Sequence, residues 1–234
     1  MRVRTGTSGF SYPAWEGHFY PPGTKRPDML SFYAGKLGAV EINNTFYRMP
    51  KADLLERWRD SVPESFRFAL KASRRITHHQ RLKDADDSVE YLFGTAKVLG
   101  EQLGPLLFQL PPYLRRDDDR LAAFLECLPA GLRAAFEFRH ASWFDDAVFA
   151  LLEEAGAALC VADAGGDHDA PLQATADFGY LRLRREDYDK AALRSWADRI
   201  RRQPWRETYV FFKHEDEGAG PRMAARFETL LAES

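Results

Sequence analysis

The sequence predicts an α/β protein, a TIM-type (β/α)8 barrel with a degenerate sixth βα unit. Two observations predict it. Eight short apolar, β-prone runs begin near residues 3, 39, 66, 104, 134, 158, 179 and 208, and each ends in polar or charged side chains. Stretches with helical period separate most of them, the alternation expected of a parallel sheet with crossover helices. The exception lies between Asp163 and Gly179, where Ala-Gly-Gly-Asp-His-Asp-Ala-Pro-Leu-Gln has loop chemistry and no amphipathic period. A doubly wound open sheet is the alternative fold, but no Gly-x-Gly-x-x-Gly turn follows any run.

The elements follow in order. Run 3–7 ends at Ser8 and opens into a long loop to Pro27 carrying Phe10, Tyr12, Trp15, Phe19 and Tyr20. These aromatics are expected either to wall the barrel mouth for stacking or to plug it. Residues 28–37 repeat apolar groups at about 3.6-residue spacing and stop at Gly38. Run 39–42 ends in Asn43-Asn44, and a helix over 53–58 lies between Pro50 and Pro63. Run 66–70 ends in Lys71, before a second long loop over 72–85 and a helix over 87–103. Run 105–108 ends in Gln109, run 134–136 in Glu137-Phe-Arg139-His140, and run 159–162 in Asp163. Run 179–181 ends in Arg182 and run 208–212 in Lys213-His214. Helices are expected over 118–128, 144–155, 191–202 and 221–231, several opening with Asp or Pro as helix N-termini prefer.

Bulk properties narrow the classes. A chain of 234 residues with 45% hydrophobic content suits one barrel domain spanning 1–234. Formal net charge is −2 from 33 basic and 35 acidic residues, so affinity for nucleic acid requires a local patch. Cys127 and Cys160 lack any CxxC spacing and read as free buried thiols. No apolar stretch approaches the ~20 residues that cross a bilayer, and no signal-peptide pattern precedes the first run. The expected setting is soluble and cytoplasmic, with no membrane partner.

Strand ends with this chemistry resemble the DUF72 family, also called YecE-like proteins. The matching stretches include Gly-Thr-Ser-Gly-Phe-Ser-Tyr at 6–12, Val-Glu-Ile-Asn-Asn-Thr-Phe-Tyr-Arg at 40–48, and Phe-Ala-Leu-Lys at 68–71. Others are Ile-Thr-His at 76–78, Gln-Leu-Pro-Pro at 109–112, Phe-Glu-Phe-Arg-His at 136–140 with Ser142-Trp143, and Tyr-Leu-Arg-Leu at 180–183. The resemblance spans essentially the whole chain. It implies a TIM-type barrel similar at fold level to the xylose-isomerase and AP-endonuclease group, and it implies no activity. The chain departs from an Asn-rich ending of the eighth strand, carrying Phe-Lys-His-Glu-Asp-Glu at 212–217 instead.

In a barrel the inward residues at strand carboxyl ends converge on one mouth. Alternation puts Glu41 and Asn43 on one face of the second strand, and Glu137 and Arg139 together on one face of the fifth. Arg139 is therefore expected to hold Glu137 ionised. Trp143 offers a flat face for a base or sugar ring. The leading reading is a polar, cation-containing pocket for a phosphorylated or nucleotide or nucleic-acid-type ligand, hydrolysing it if the protein is an enzyme. Its catalytic residues are expected to be Glu41, Glu137 and His140, and its ligand-binding residues Asn43, Asn44, Tyr47, Lys71, His78, Gln109, Arg139, Trp143, Asp163, Arg182 and Lys213.

Each feature also has a structural reading, since inward polar groups can hydrogen-bond only to one another. One alternative is thus a non-catalytic binding or scaffold protein. Another is a sugar isomerase or hydrolase, drawn from the two glutamates. A divalent metal is an option through Glu41, His78, Glu137, His140, Asp163 and His214, although the histidines show no dense ligand spacing. His168 reads as an exposed loop residue. Ser8 lacks the Gly-x-Ser-x-Gly elbow of a nucleophile.

Overall fold

A computed structural model describes residues 1–166, 170–213 and 216–233 of the chain. Eight parallel strands close on themselves in sequence order, β1 pairing with both β2 and β8. They are β1 (Arg2–Ser8), β2 (Ala39–Ile42), β3 (Arg67–Lys71), β4 (Leu103–Gln109), β5 (Ala134–Glu137), β6 (Ala158–Asp163), β7 (Phe178–Leu183) and β8 (Glu207–Phe212). Helices α1 (Arg26–Ala34), α2 (Ala52–Asp60), α3 (Asp86–Ala96), α4 (Asp118–Glu126) and α5 (Asp146–Glu154) follow the first five strands. Helices α6 (Lys190–Arg201) and α7 (Ala219–Ala232) follow the seventh and eighth.

After β6 no helix forms among the described residues, so the sixth unit is degenerate as expected. Its returning chain is pinned by Thr175, whose hydroxyl donates to Ala157 O at 2.7 Å and accepts from Leu159 N at 2.8 Å. Aspartates cap three helices: Asp117 accepts from Arg120 N, Asp145 from Ala147 N and Asp189 from Ala192 N. The single helix expected over 87–103 is cut short. Gly100 adopts φ 56°, and the chain tightens into a 3-10 segment, Lys97–Gln102, before β4. No helix among the described residues is long and apolar enough to cross a membrane.

Two apolar layers share the strands by alternation. The outward residues Val40, Leu70, Phe108, Phe136, Leu181 and Val210 pack beneath the helices. The interior is filled unevenly: Ala39, Ala69, Ala135 and Ala158 face Phe178, Tyr180, Tyr209 and Phe211. Small side chains on one side leave room for rings reaching from β7 and β8, so the interior is packed rather than a pore.

The aromatic loop after β1 is a satellite of this core. Trp15 and Tyr20 are buried, and Phe19 meets the rings of Phe32 and Tyr33 on α1 edge-on at 5.6 and 6.0 Å. Of the two expectations for this loop, the packed apolar cluster is what forms, and it packs on α1. Tyr33 also serves as a joint, its hydroxyl accepting from Thr7 N at 2.8 Å and donating to Ala39 O at 2.9 Å.

The β1–β2 seam makes a sharp test of this packing. A Cβ on Gly6 would lie 2.0 Å from the carbonyl oxygen of Ala39, a backbone atom held in the barrel. Gly6→Ala is expected to destabilise the protein at or above the upper end of the roughly 1–3 kcal/mol of overpacked cores. Urea denaturation checks it, and a loss under about 1 kcal/mol would show the seam to be loose.

Candidate functional site at the carboxyl mouth

The mouth is built on Arg182, which is 2% exposed and points inward from β7. Strand alternation gives it that direction, because Phe178 and Tyr180 on the same face fill the interior below. Its Nη1 donates to Glu137 Oε2 at 2.5 Å and its Nη2 to Glu41 Oε1 at 2.9 Å. Glu41 is the third residue of β2 and Glu137 the last of β5, and both are almost wholly buried. One guanidinium thus bridges two carboxylates from strands on opposite sides of the barrel.

Further donors complete the network. Glu41 also accepts from Ser8 Oγ at 2.8 Å, Tyr180 Oη at 2.8 Å and Asn43 Nδ2 at 3.2 Å. Glu137 accepts from Gln109 Nε2 at 2.8 Å, and Arg184 Nη1 stands 3.7 Å from its Oε1. Burial alone would raise both carboxyls. Arg182 outweighs it, aided by Tyr180 and Ser8 at Glu41 and by Arg184 and Gln109 at Glu137, so both stay ionised.

Lys71 extends the network towards solvent. Its Nζ donates to Gln109 Oε1 at 2.7 Å and lies 4.2 Å from the centre of the Phe46 ring. Burial and the nearby Arg182 pull this ammonium down to about 8, against the opposing pull of Glu41 and Glu137. His78 stacks its edge on Phe46 at 5.0 Å, and its Nδ1 lies 2.9 Å from Thr77 Oγ1. Burial, Lys71 and Arg139 hold His78 below the usual imidazole range. Lys213, whose field also lowers Lys71, completes this side of the mouth.

Several expected members sit elsewhere. Arg139 is exposed and does not pair with Glu137, because β5 ends at Glu137 and alternation carries no further. Trp143 offers no free face: it is buried, stacked on Phe138 at 4.7 Å and 9°, with Nε1 bonded to Leu114 O. Asp163 falls on the outward face of β6, where it accepts from Arg185 Nε at 2.7 Å and Trp196 Nε1 at 3.1 Å. His140 caps the short turn Ala141–Trp143 by accepting from Ser142 N. Asn44 and Tyr47 are exposed on the rim. His168 and His214 lie outside the described residues.

Tyr180 and Ser8 are the members that sequence reasoning missed. Inward parity with Arg182 on β7 was the available signal for Tyr180. Among the described residues no three His, Cys, Asp or Glu side chains gather to hold a metal ion.

Fold and site together define a parallel (β/α)8 barrel whose carboxyl mouth is closed by a buried carboxylate–guanidinium network. The chain belongs to the family described as "Protein of unknown function DUF72", whose model matches residues 4–234. UPF0759 protein YunF of Bacillus subtilis (strain 168) is 33% identical over 140 residues, 56% of this chain and 50% of that protein. UPF0759 protein YecE of Escherichia coli (strain K12) is 33% identical over 116 residues, 49% of this chain and 43% of that protein. The match thus spans about half the length of these curated relatives. A solved DUF72 family protein from Thermotoga maritima MSB8 superposes with a TM-score of 0.88 at 25% identity, covering 99% of this chain and all of that one (100%). One from Enterococcus faecalis V583 gives 0.81 at 20% identity, covering 99% and 96%.

Removing the bridging cation tests whether the network holds the barrel together. Arg182→Met would strand two buried carboxylates, costing roughly 3–5 kcal/mol at pH 7. In the native protein both carboxyls are lowered, so their contribution is full above the unfolded value and fades only as pH falls below it. In the variant they would be raised, and the folded state would then take up protons that the unfolded chain does not. Stability of the variant should therefore recover between pH 7 and 5 while the native protein's holds. Equal losses in urea melts at both pH values would contradict the bridge.

Proposed function

We propose that the carboxyl mouth binds a phosphate-containing ligand through Lys71, Arg184 and the neighbouring cations. One observation carries this reading: at the mouth, cations outnumber the carboxylates they face. Arg182, Arg184 and Lys71 stand against Glu41 and Glu137, with Lys213 and Arg139 adding their fields from the rim. The Nε atoms of Arg182 and Arg184 are buried and have no hydrogen-bond partner among the described residues. Buried donors of this kind are costly unless an acceptor meets them. A phosphate is such an acceptor, and its charge would also offset the burial and the Arg182 repulsion that depress Lys71.

The geometry favours binding over sugar hydrolysis. A glycosidase needs one carboxyl able to donate a proton. Here both glutamates are held ionised by a single guanidinium. The completeness of the Glu41–Arg182–Glu137 bridge favours a second reading, a scaffold whose polar mouth is a structural plug.

Calorimetry with inorganic phosphate, ribose 5-phosphate, AMP and plain ribose separates these readings. Phosphate compounds are expected to bind and ribose not to. Lys71→Met should weaken phosphate binding at least tenfold, about 1.4 kcal/mol. Because Lys71 titrates near 8, affinity should decline as pH rises from 7 to 9, with proton uptake on binding across that window. Binding of ribose alone would overturn the phosphate reading, and binding of none would favour the scaffold.

A further inference from the structure

The near-neutral net charge conceals a strongly divided rim. The segments between β2 to β5 and the helices that follow them, residues 43–51, 72–85, 110–117 and 138–145, carry nine Lys or Arg and three acids, Asp84, Asp117 and Asp145. Among the described residues, those after β6 to β8 at the same end, 164–166, 184–189, 213 and 216–218, carry three Lys or Arg and five Asp or Glu. A polyanion approaching the mouth is therefore attracted to one arc and repelled by the other.

The basic arc also carries exposed rings. Tyr47 is 71% exposed and Tyr113 62%, among only four large hydrophobic side chains so exposed in the described residues. Each has an arginine beside it: Arg74 lies 6.0 Å from the Tyr47 ring centre and Arg81 5.9 Å from that of Tyr113. A cavity of about 570 Å³ adjoins Tyr47, with Met49, Leu54 and Trp58 on its apolar side and Arg48 and Arg57 on its charged side. Tyr47 touches Phe46 edge-on at 5.1 Å, and Phe46 in turn carries Lys71, so the arc is continuous with the mouth.

The loop presenting Arg74 and Arg81 is held in an unusual backbone. It contains a π-helical turn, Arg75–His79, and then Arg81, Leu82 and Asp84 at φ 53°, 68° and 45°. Non-glycine residues rarely adopt that region, and such conformations persist where the surroundings impose them. Here the buried Leu82 side chain and the bond from Leu82 N to Ile76 O at 3.0 Å impose it, turning Arg81 towards Tyr113.

We propose that this arc binds single-stranded nucleic acid, with bases stacked on Tyr47 and Tyr113 and the phosphates between them neutralised by Arg74, Arg81 and Arg48. The proposal deepens the phosphate-binding reading and rests on it. Stacking on exposed tyrosines requires bases whose faces are free, which single strands supply and a duplex does not. An acidic peptide would match the charge but leave the two rings without a role.

Fluorescence anisotropy with labelled oligo-dT and oligo-U of about twelve nucleotides, and with a matched duplex, tests it. One single strand at least is expected to bind more tightly than the duplex, with affinity falling between about 50 and 200 mM salt. Tyr47→Ala and Tyr113→Ala should each weaken that binding about fivefold or more, while Tyr91→Ala, on the outer face of α3, should not. Thermal melts establish that each variant is folded. Single strands no tighter than duplex, or tyrosine variants that bind like the native protein, would overturn the proposal. Lys71-dependent binding of inorganic phosphate without oligonucleotide binding would sink this inference alone, and loss of both would sink the phosphate reading with it.

Discussion

A buried guanidinium must be neutralised where it stands, and Arg182 sets that demand at the centre of the barrel. Neither Glu41 nor Glu137 could be buried alone without a large desolvation cost. Together they give Arg182 two charge-assisted partners from strands on opposite sides of the closed sheet. The alanines facing β7 follow from the same demand. Larger side chains at Ala39, Ala69, Ala135 and Ala158 would fill the space through which Tyr180 and Arg182 reach across. The network is therefore as much a constraint on interior volume as a set of ion pairs.

The amino end of the barrel inverts this arrangement. There one carboxylate, Glu207, lies between two guanidiniums, bonded to Arg4 and to Arg133 at 2.7 Å, and accepts from Tyr209 Oη at 2.9 Å. Burial opposes its ionisation, but the bonds from Arg133, Arg4 and Tyr209 prevail and hold it near 2. Arg133 then covers the Phe178 ring at 4.2 Å. A plug of aromatic and aliphatic side chains separates the two ionic ends. Each leaves a cation partly exposed, but at the amino end Arg133 is bonded to the carboxylate, whereas at the mouth Lys71 is bonded to a neutral amide.

Much of this was legible in the sequence wherever alternation could be counted through a strand to its last residue. Glu41, Lys71, Gln109, Glu137 and Arg182 all obey it, and all meet at the mouth. Asp163 ends a strand yet lies outside the mouth, because Ala158 and Cys160 face inward and alternation turns Asp163 out. Arg139 and Trp143 lie past the end of β5, where a 3-10 turn replaces alternation and folds the indole back onto Phe138. The Glu207 cluster was invisible because attention to carboxyl ends passes over the other end of each strand. The β3–β4 loop geometry had no sequence signal, since neither Arg81 nor Leu82 announces a left-handed backbone.

What the mouth can do chemically is limited by bonds its acids have already made. A general base must be free to take a proton, and a general acid must hold one at working pH. Glu41 engages four donor residues and Glu137 is clamped by Arg182 and Gln109, so a substrate proton would have to displace an existing bond. Lys71 differs. It has one hydrogen bond to a neutral amide, a ring beneath it and an ammonium that titrates near 8. If any group at the mouth exchanges protons with a bound ligand, the bonding pattern selects Lys71 over either glutamate. The carboxylates then hold the arginines rigid, and a ligand bound there would meet a fixed positive surface instead of a pair of catalytic acids.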